Sequence, residues 1–398
     1  MTQTVPAVEG LPLTRGGCPF DPPTGITELA ARSPISRMTY PGGHQGWLVT
    51  GYAATRLVLA DPRFSARSEL KKVPIPHPFA DEPLPPARPG VLTGFDPPEH
   101  THYRRLLTGQ FTVRRMKLLE PRIAEITEQH LDTMAAAGPP ADLVTAFALP
   151  IPSLVICELL GVPYADRAEF QQRSAVMFDL TSTREALTAA MTGVTDFIGD
   201  LVARKRAEPS DDLLGGLVAG GELTDEELGN IGMALLVAGH ETTANMLALG
   251  SYALLSEPGQ LALLREDPTL ITNAVEELLR YLSVIHIGPT RTALEDVEVA
   301  GQLVRAGDVL TLSVPAANRD PERFPGGDHL DLARPATGHV AFGHGVHQCL
   351  GQQLARVEMR IGYAALFRRF PGLRLVDPAV PMRDHGAIYG VRELRVAW

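Results

Sequence analysis

The chain has 398 residues, with 36 Lys plus Arg against 46 Asp plus Glu, and a formal charge of −10 makes it a poor general partner for nucleic acid. Hydrophobic residues make up 44% and charged residues 21%, which allows a large buried core and excludes a disordered chain. Three widely separated cysteines, Cys18, Cys157 and Cys349, speak against a disulfide framework and a clustered zinc site, and fit a reducing compartment.

Residues 1–24 carry Pro6, Pro12, Pro19, Pro22 and Pro23 and no apolar signal-peptide core, so this stretch is expected to be extended or partly disordered. Ser36–Tyr40 and Gly46–Thr50, joined by Pro41-Gly42-Gly43-His44, predict a hairpin, and Ala53–Ala60 a short helix. Residues 73–98 hold nine prolines and predict a long surface loop with a functional use. From about 99 to 285 the chain reads as helices, with amphipathic periodicity around 115–136, 185–206 and 226–256. Thr224-Asp225-Glu226-Glu227 is a capping box that starts the last of these. A further helical pattern covers 262–282. Strand signals return at Val297–Val299 and Asp308–Val314, 315–346 is irregular, and a last helix starts near Leu350. Apolar runs such as Met233–Ala238 are too short to span a bilayer, so no membrane segment is expected. The architecture this predicts is mainly α with small β-sheets, one domain over 1–398.

The chemistry concentrates in Phe342-Gly343-His344-Gly345-Val346-His347-Gln348-Cys349-Leu350-Gly351. Glycines permit tight turns and close backbone approach, and a helix opens just after Cys349. A thiol at a helix N-terminus is biased towards the thiolate. Such a thiolate can serve as a nucleophile or as an axial metal ligand. Cys18 and Cys157 read as small structural hydrophobes.

The pattern Phe-x-x-Gly-x-His-x-Cys-x-Gly, met as Phe342, Gly345, His347, Cys349 and Gly351, resembles the haem-binding loop of the cytochrome P450 monooxygenases. The resemblance covers essentially the whole chain. It implies the family's fold, with haem b between a long distal helix and the proximal cysteine loop, and Cys349 as thiolate ligand to iron. A second motif supports it. Ala238-Gly239-His240-Glu241-Thr242-Thr243 lies mid-helix, where Gly and paired Thr cost stability, and 231, 235, 238, 242, 246 and 249 share one face. On the residues alone, Thr242 could simply bond back to the Ala238 carbonyl. The resemblance implies instead that Glu241 and Thr242 are the acid–alcohol pair that delivers protons for dioxygen activation, with Ala238 and Gly239 against the cofactor and Gly239 leaving room for oxygen. His240 is expected to be structural.

Haem propionates want cations. His100 and Arg104 are spaced i,i+4 on a helix, and the resemblance assigns them, with Arg291 and His347, to the propionates. Glu277 and Arg280 match the family's Glu-x-x-Arg element, a structural pair behind the cysteine loop that Arg334 could complete. Arg104, Arg105, Arg114, Arg115, Lys117, Arg356, Arg360, Arg368 and Arg369 form basic segments suited to an acidic ferredoxin.

By the same resemblance the substrate meets Leu235, Ala238, Val284, Ile285, Ile287 and Ile388, the Pro-rich loop and residues 168–184, with His77, His286 and His385 as polar exceptions. The opening Gly17-Cys18-Pro19-Phe20 is similar to that of actinobacterial enzymes that tailor secondary metabolites. The function implied is a cytoplasmic, monomeric haem-thiolate monooxygenase. It would hydroxylate or epoxidise a small hydrophobic molecule with O2 and electrons from NAD(P)H through ferredoxin reductase and ferredoxin. A peroxide-driven or oxidative-coupling variant, a non-catalytic haem sensor and, without the resemblance, a cysteine-nucleophile hydrolase are the alternatives.

Overall fold

A computed structural model describes residues 5–77, 82–163, 166–383 and 386–398. The elements up to the chain's midpoint are β1 (Ala7–Glu9), α1 (Thr24–Ala30), β2 (Ile35–Thr39), β3 (Gln45–Val49), α2 (Tyr52–Ala60), β4 (Phe64–Ser65), α3 (Glu99–Thr108), α4 (Val113–Ala137), β5 (Ala141–Asp142), α5 (Pro150–Leu160), α6 (Arg167–Phe178) and α7 (Arg184–Ala207). There follow α8 (Leu213–Gly220), α9 (Asp225–Ser256), α10 (Pro258–Glu266), α11 (Ile271–Leu282), β6 (Thr290–Ala293), β7 (Val297–Val299), β8 (Gln302–Val304), β9 (Val309–Leu312), α12 (Val314–Ala317), α13 (Gln352–Arg369), β10 (Arg374–Leu375) and β11 (Arg395–Ala397). About 52% of the chain is helical, so the mainly α expectation holds.

The chain divides into two compact units. The first comprises Met1–Ala87, Thr93–Thr101 and Glu276–Cys349, and is built on a mixed six-stranded sheet in the order β1-β2-β3-β9-β6-β4. The predicted hairpin is its nucleus: β2 and β3 pair antiparallel from Ile35↔Val49 to Thr39↔Gln45. Ile35, Trp47, Val49, Val58, Phe64, Leu310 and Leu312 form its buried core. β6, which the sequence reading did not resolve, pairs antiparallel with β9 and carries Arg291 opposite Leu310. The β7–β8 hairpin turns through Ala300 and Gly301, both at positive φ.

The second unit comprises Arg88–Leu92, His102–Val275 and Leu350–Trp398. Its axis is α9, which packs against α5, α7 and α13. The capping box forms as predicted: Thr224 Oγ1 accepts from the Glu227 N–H at 3.3 Å, and the Thr224 N–H donates to Glu227 Oε2 at 2.8 Å. From Thr243 to Leu254 every residue of α9 is buried, as befits a core helix, whereas Leu235, Ala238, Gly239 and Thr242 leave one face less covered. The helical pattern at 262–282 resolves into α10 and α11, separated at Pro268 by a 3₁₀ turn, because proline cannot continue the ladder. α7 is long and apolar enough to cross a bilayer, by length and composition only, although no unbroken apolar run marks it in the sequence. Its Leu187, Ala190, Val194, Ile198 and Leu201 are buried in the unit.

Candidate functional site

The cysteine loop belongs to the first unit. Gly343 (φ 70°) and Gly345 (φ 72°) supply left-handed turns, and a 3₁₀ turn covers Gly345–His347. The Cys349 N–H donates to the Phe342 carbonyl at 2.8 Å, which closes the loop. Cys349 itself is exposed, Phe342 and His347 half-buried. Gly351 is the N-cap residue of α13.

The loop rests on a saturated polar network. Glu277 and Arg280 are fully buried and joined by two bonds, Nε to Oε2 at 2.7 Å and Nη2 to Oε1 at 2.8 Å. Arg334 Nε lies 3.3 Å from Glu277 Oε1, which also accepts from the Asp331 N–H at 3.1 Å. Arg280 Nη1 donates to the Asn318 carbonyl at 2.8 Å, and the Asn318 side chain accepts from the Val340 N–H at 2.7 Å. Asn318 thus carries the Glu277–Arg280 pair to the base of the loop. His339 adds a second brace: its Nδ1 accepts from the Ala341 N–H at 3.1 Å, which leaves Nε2 to donate to Glu276 at 3.1 Å. Sequence reasoning missed Asn318 and His339, since a lone Asn and a lone His carry no spacing signal.

Cations gather in the same unit. Arg291 is 6% exposed, and burial pushes its guanidinium down to about 10. Desolvation and then the Arg291 charge push the Lys71 ammonium down to about 8. Lys71 is held beside β6 because Thr292 Oγ1 donates to the Leu70 carbonyl at 2.8 Å. The nearby acid, Asp96, is engaged elsewhere, accepting from Ser65 Oγ at 2.5 Å and the Ala66 N–H at 2.7 Å. Among the described residues neither cation has a carboxylate at ion-pair distance. Two desolvated cations so placed call for an anion, and the carboxylates of a haem fit that need. The His100 and His347 rings lie 4.1 Å apart, centroid to centroid, and His100 is 2% exposed.

The helix motif belongs to the second unit. Thr242 Oγ1 donates to the Ala238 carbonyl at 2.9 Å, the back-bond that the residues alone allowed. Glu241 is 2% exposed, and its Oε2 accepts from Arg383 Nη1 at 2.8 Å and from Asn245 Nδ2 at 3.2 Å. Glu241 and Thr242 are not hydrogen-bonded to each other. Gly239 differs from expectation: a Cβ there would come within 2.9 Å of the Ile156 side chain, so the room it leaves is filled by α5. His240 is buried, and desolvation lowers its basicity against the opposing pull of Glu241. Arg104, on α3, is half-buried.

The apolar candidates separate by burial. Val284 is 6% and Ile388 8% exposed, while Ile285, Ile287 and Leu235 are half-buried and Ala238 is exposed. His286 Nε2 donates to the Leu13 carbonyl at 3.1 Å, so it is tied to the fold rather than offered to a ligand. His385 lies outside the described residues. The basic segments narrow: Arg105 pairs with Glu222, Arg360 with Glu120, Arg368 with Glu128 and Arg369 with Asp132. Arg114, Arg115 and Lys117, exposed on the first turns of α4 between the exposed Val113 and Leu118, have no ion pair among the described residues.

Comparison with known proteins follows the same line. The Cytochrome P450 family profile matches residues 264–388. Cytochrome P450 105C1 from a Streptomyces species is 49% identical over 382 residues, 95% of this chain and 96% of that protein. Pentalenic acid synthase from Streptomyces avermitilis is 45% identical over 387 residues, 96% of this chain and 95% of that one. The crystal structure of CYP105P1 in complex with filipin I superposes with a TM-score of 0.91 at 43% identity, covering 99% of both chains.

Proposed function

The chain belongs to the cytochrome P450 family, and from that membership we propose that it is a haem b monooxygenase whose iron is held by Cys349 and which oxidises a small hydrophobic secondary metabolite. The observation that carries the proposal is the Cys349 loop, closed on the Phe342 carbonyl and braced by Glu277–Arg280–Asn318, together with the buried Arg291, which has no carboxylate at ion-pair distance among the described residues. When bound, a thiolate-ligated haem supplies the activation of dioxygen. The chain's own residues do the rest. Arg291, with Arg104, His100 and His347, receives the propionates. Phe342, Gly351, Ala238 and Gly239 border the macrocycle. Glu241 takes a proton from solvent and passes it to the Thr242 hydroxyl, which hands it towards the reacting oxygen. Both must first leave the partners they hold here, Arg383 and the Ala238 carbonyl.

The substrate lies against Leu235, Ala238, Val284, Ile285, Ile287 and Ile388, an apolar set that selects by shape. A relative named for pentalenic acid and a structural relative crystallised with filipin I support a secondary metabolite as substrate. The reaction is hydroxylation or epoxidation. Electrons come from NAD(P)H through a ferredoxin reductase and a ferredoxin, whose acidic surface meets Arg114, Arg115 and Lys117 with Val113 and Leu118 at the edge. The whole chain acts as one monomeric P450 domain in the cytoplasm.

The test is the carbon monoxide difference spectrum of the dithionite-reduced protein beside Cys349→Ser. The expected result is a strongly red-shifted Soret band that the variant lacks. An ordinary Soret position in the unaltered protein would overturn the thiolate assignment.

A further inference from the structure

Glu241 is a buried carboxylate that needs a counter-charge, and its cation comes from a distant part of the chain. Its Oε2 lies 2.8 Å from Arg383 Nη1. Among the described residues the other titratable group at ion-pair distance is His240, whose Nδ1 is 3.9 Å from Oε1 and whose basicity burial lowers, which leaves Arg383 as the standing counter-ion. Asn245, one turn along α9, donates from Nδ2 to the Glu241 carbonyl at 2.8 Å and to its carboxylate at 3.2 Å.

The segment that brings Arg383 is itself pinned to the same spot. The Arg383 N–H donates to the Gly390 carbonyl at 2.9 Å, and Met382 bridges antiparallel to Val391. Gly390 sits so closely on Asn245 that a Cβ there would fall 1.9 Å from Asn245 Oδ1. Glu241, Asn245, Gly390 and Arg383 therefore close a ring of contacts, each of which fixes the next. Ile388 and Tyr389 lie in the same short stretch, 8% and 1% exposed.

We infer that Arg383 is a positioning residue that parks the Glu241 carboxylate away from Thr242 and so restrains proton delivery. The inference rests on the reading of Glu241 as the relay acid. Arg383 Nη1 and Asn245 Nδ2 both donate to Glu241 Oε2 and hold the carboxylate in an orientation that makes no hydrogen bond with the Thr242 hydroxyl, which is itself turned back onto Ala238. The relay runs only in the fraction of molecules in which Glu241 has let go, and the ion pair sets that fraction. With no substrate present this restraint limits the futile reaction, in which NADPH, a proton and O2 give NADP⁺ and H2O2.

The experiment compares the holoenzyme with Arg383→Gln, Arg383→Lys, Glu241→Gln and the double variant Arg383→Gln/Glu241→Gln. The carboxylate stretch of Glu241 is isolated as the infrared difference against Glu241→Gln. Substrate-free NADPH consumption and H2O2 release are followed with a plant-type ferredoxin and its reductase. Arg383→Gln is expected to shift the carboxylate band and to raise peroxide release about fivefold, the factor expected for loss of one partly exposed ion pair. Arg383→Lys should restore both, and the double variant should match Glu241→Gln. An unshifted band, or a shifted band with wild-type peroxide release, overturns the inference. The carbon monoxide spectrum keeps the two proposals apart: loss of the red-shifted band in the unaltered protein defeats the thiolate reading, whereas the infrared band tests the Arg383 clamp without haem chemistry.

Discussion

Two buried glutamates, one in each unit, are treated in opposite ways. Glu277, beneath the cysteine loop, is fully buried and bonded to Arg280, Arg334 and the Asp331 N–H. Glu358, on α13, is just as buried, yet its Oε2 meets no partner among the described residues, and burial pushes its carboxyl up to about 8. Glu241 stands between them, buried but held by a cation that is 26% exposed. The comparison teaches where each unit can tolerate change. A network in which every atom has a partner has one low-energy arrangement and fixes what lies above it. A group whose charge is met by one partly exposed cation, or by none, has alternatives within reach. On the proposed reading, a loop that ligates metal needs the first, and a residue that carries protons needs the second.

Breaking the saturated side should have the largest effect. Glu277→Gln leaves Arg280 buried without its counter-charge and should cost about 3–5 kcal/mol in urea unfolding, with loss of the carbon monoxide-competent fraction. An equal loss from a conservative change at an exposed pair such as Arg368–Glu128 would erase the contrast.

The unsatisfied side gives a pH signature of the opposite kind. The Glu358 carboxyl ionises near 4.5 when unfolded and near 8 when folded, so between these values the unfolded chain binds one proton fewer. Stability then falls as pH rises, by up to about 1.4 kcal/mol per pH unit. Glu358→Gln removes that slope: the variant should gain on the wild type steadily from about pH 5 to pH 8 in urea midpoints. Parallel pH curves for the two proteins would show that Glu358 is charged and paired in the fold.

Much of this was legible in the chain. Phe342 to Gly351 and Ala238 to Thr243 are contiguous motifs, and contiguous chemistry survives without a structure. The capping box at Thr224 and the hairpin at Ser36–Thr50 were legible for the same reason, because their partners are a few residues apart. What the sequence hides is contact across distance. Arg383 is 142 residues from Glu241, and Asn318 is 38 from Arg280; neither type nor spacing marks them. β6 escaped because Thr290-Arg291-Thr292-Ala293 carries no apolar alternation to mark a strand, and its register comes from β9. Arg360, Arg368 and Arg369 of α13 looked like a free patch because the acids that engage them, Glu120, Glu128 and Asp132, sit on α4.

The smallest effects belong to the cations that await a partner, and they sharpen the comparison from the other direction. Arg291 and Lys71 share the first unit with Glu277, but they resemble Glu358 in having no counter-charge at ion-pair distance among the described residues. If the haem carboxylates complete them, removing a cation weakens haem retention while the fold loses little. Arg291→Met should speed haem transfer to apomyoglobin about tenfold, equivalent to about 1.4 kcal/mol. Lys71→Met, which removes the less buried charge, should speed it about threefold. Unfolding midpoints of the haem-bound variants separate this from general damage, because haem that is held less tightly lowers the midpoint only as far as its own affinity falls. If instead Arg291→Met unfolded as readily as Glu277→Gln, Arg291 would be a structural cation with a partner formed within the chain, and the fully saturated network would extend to the whole of the first unit.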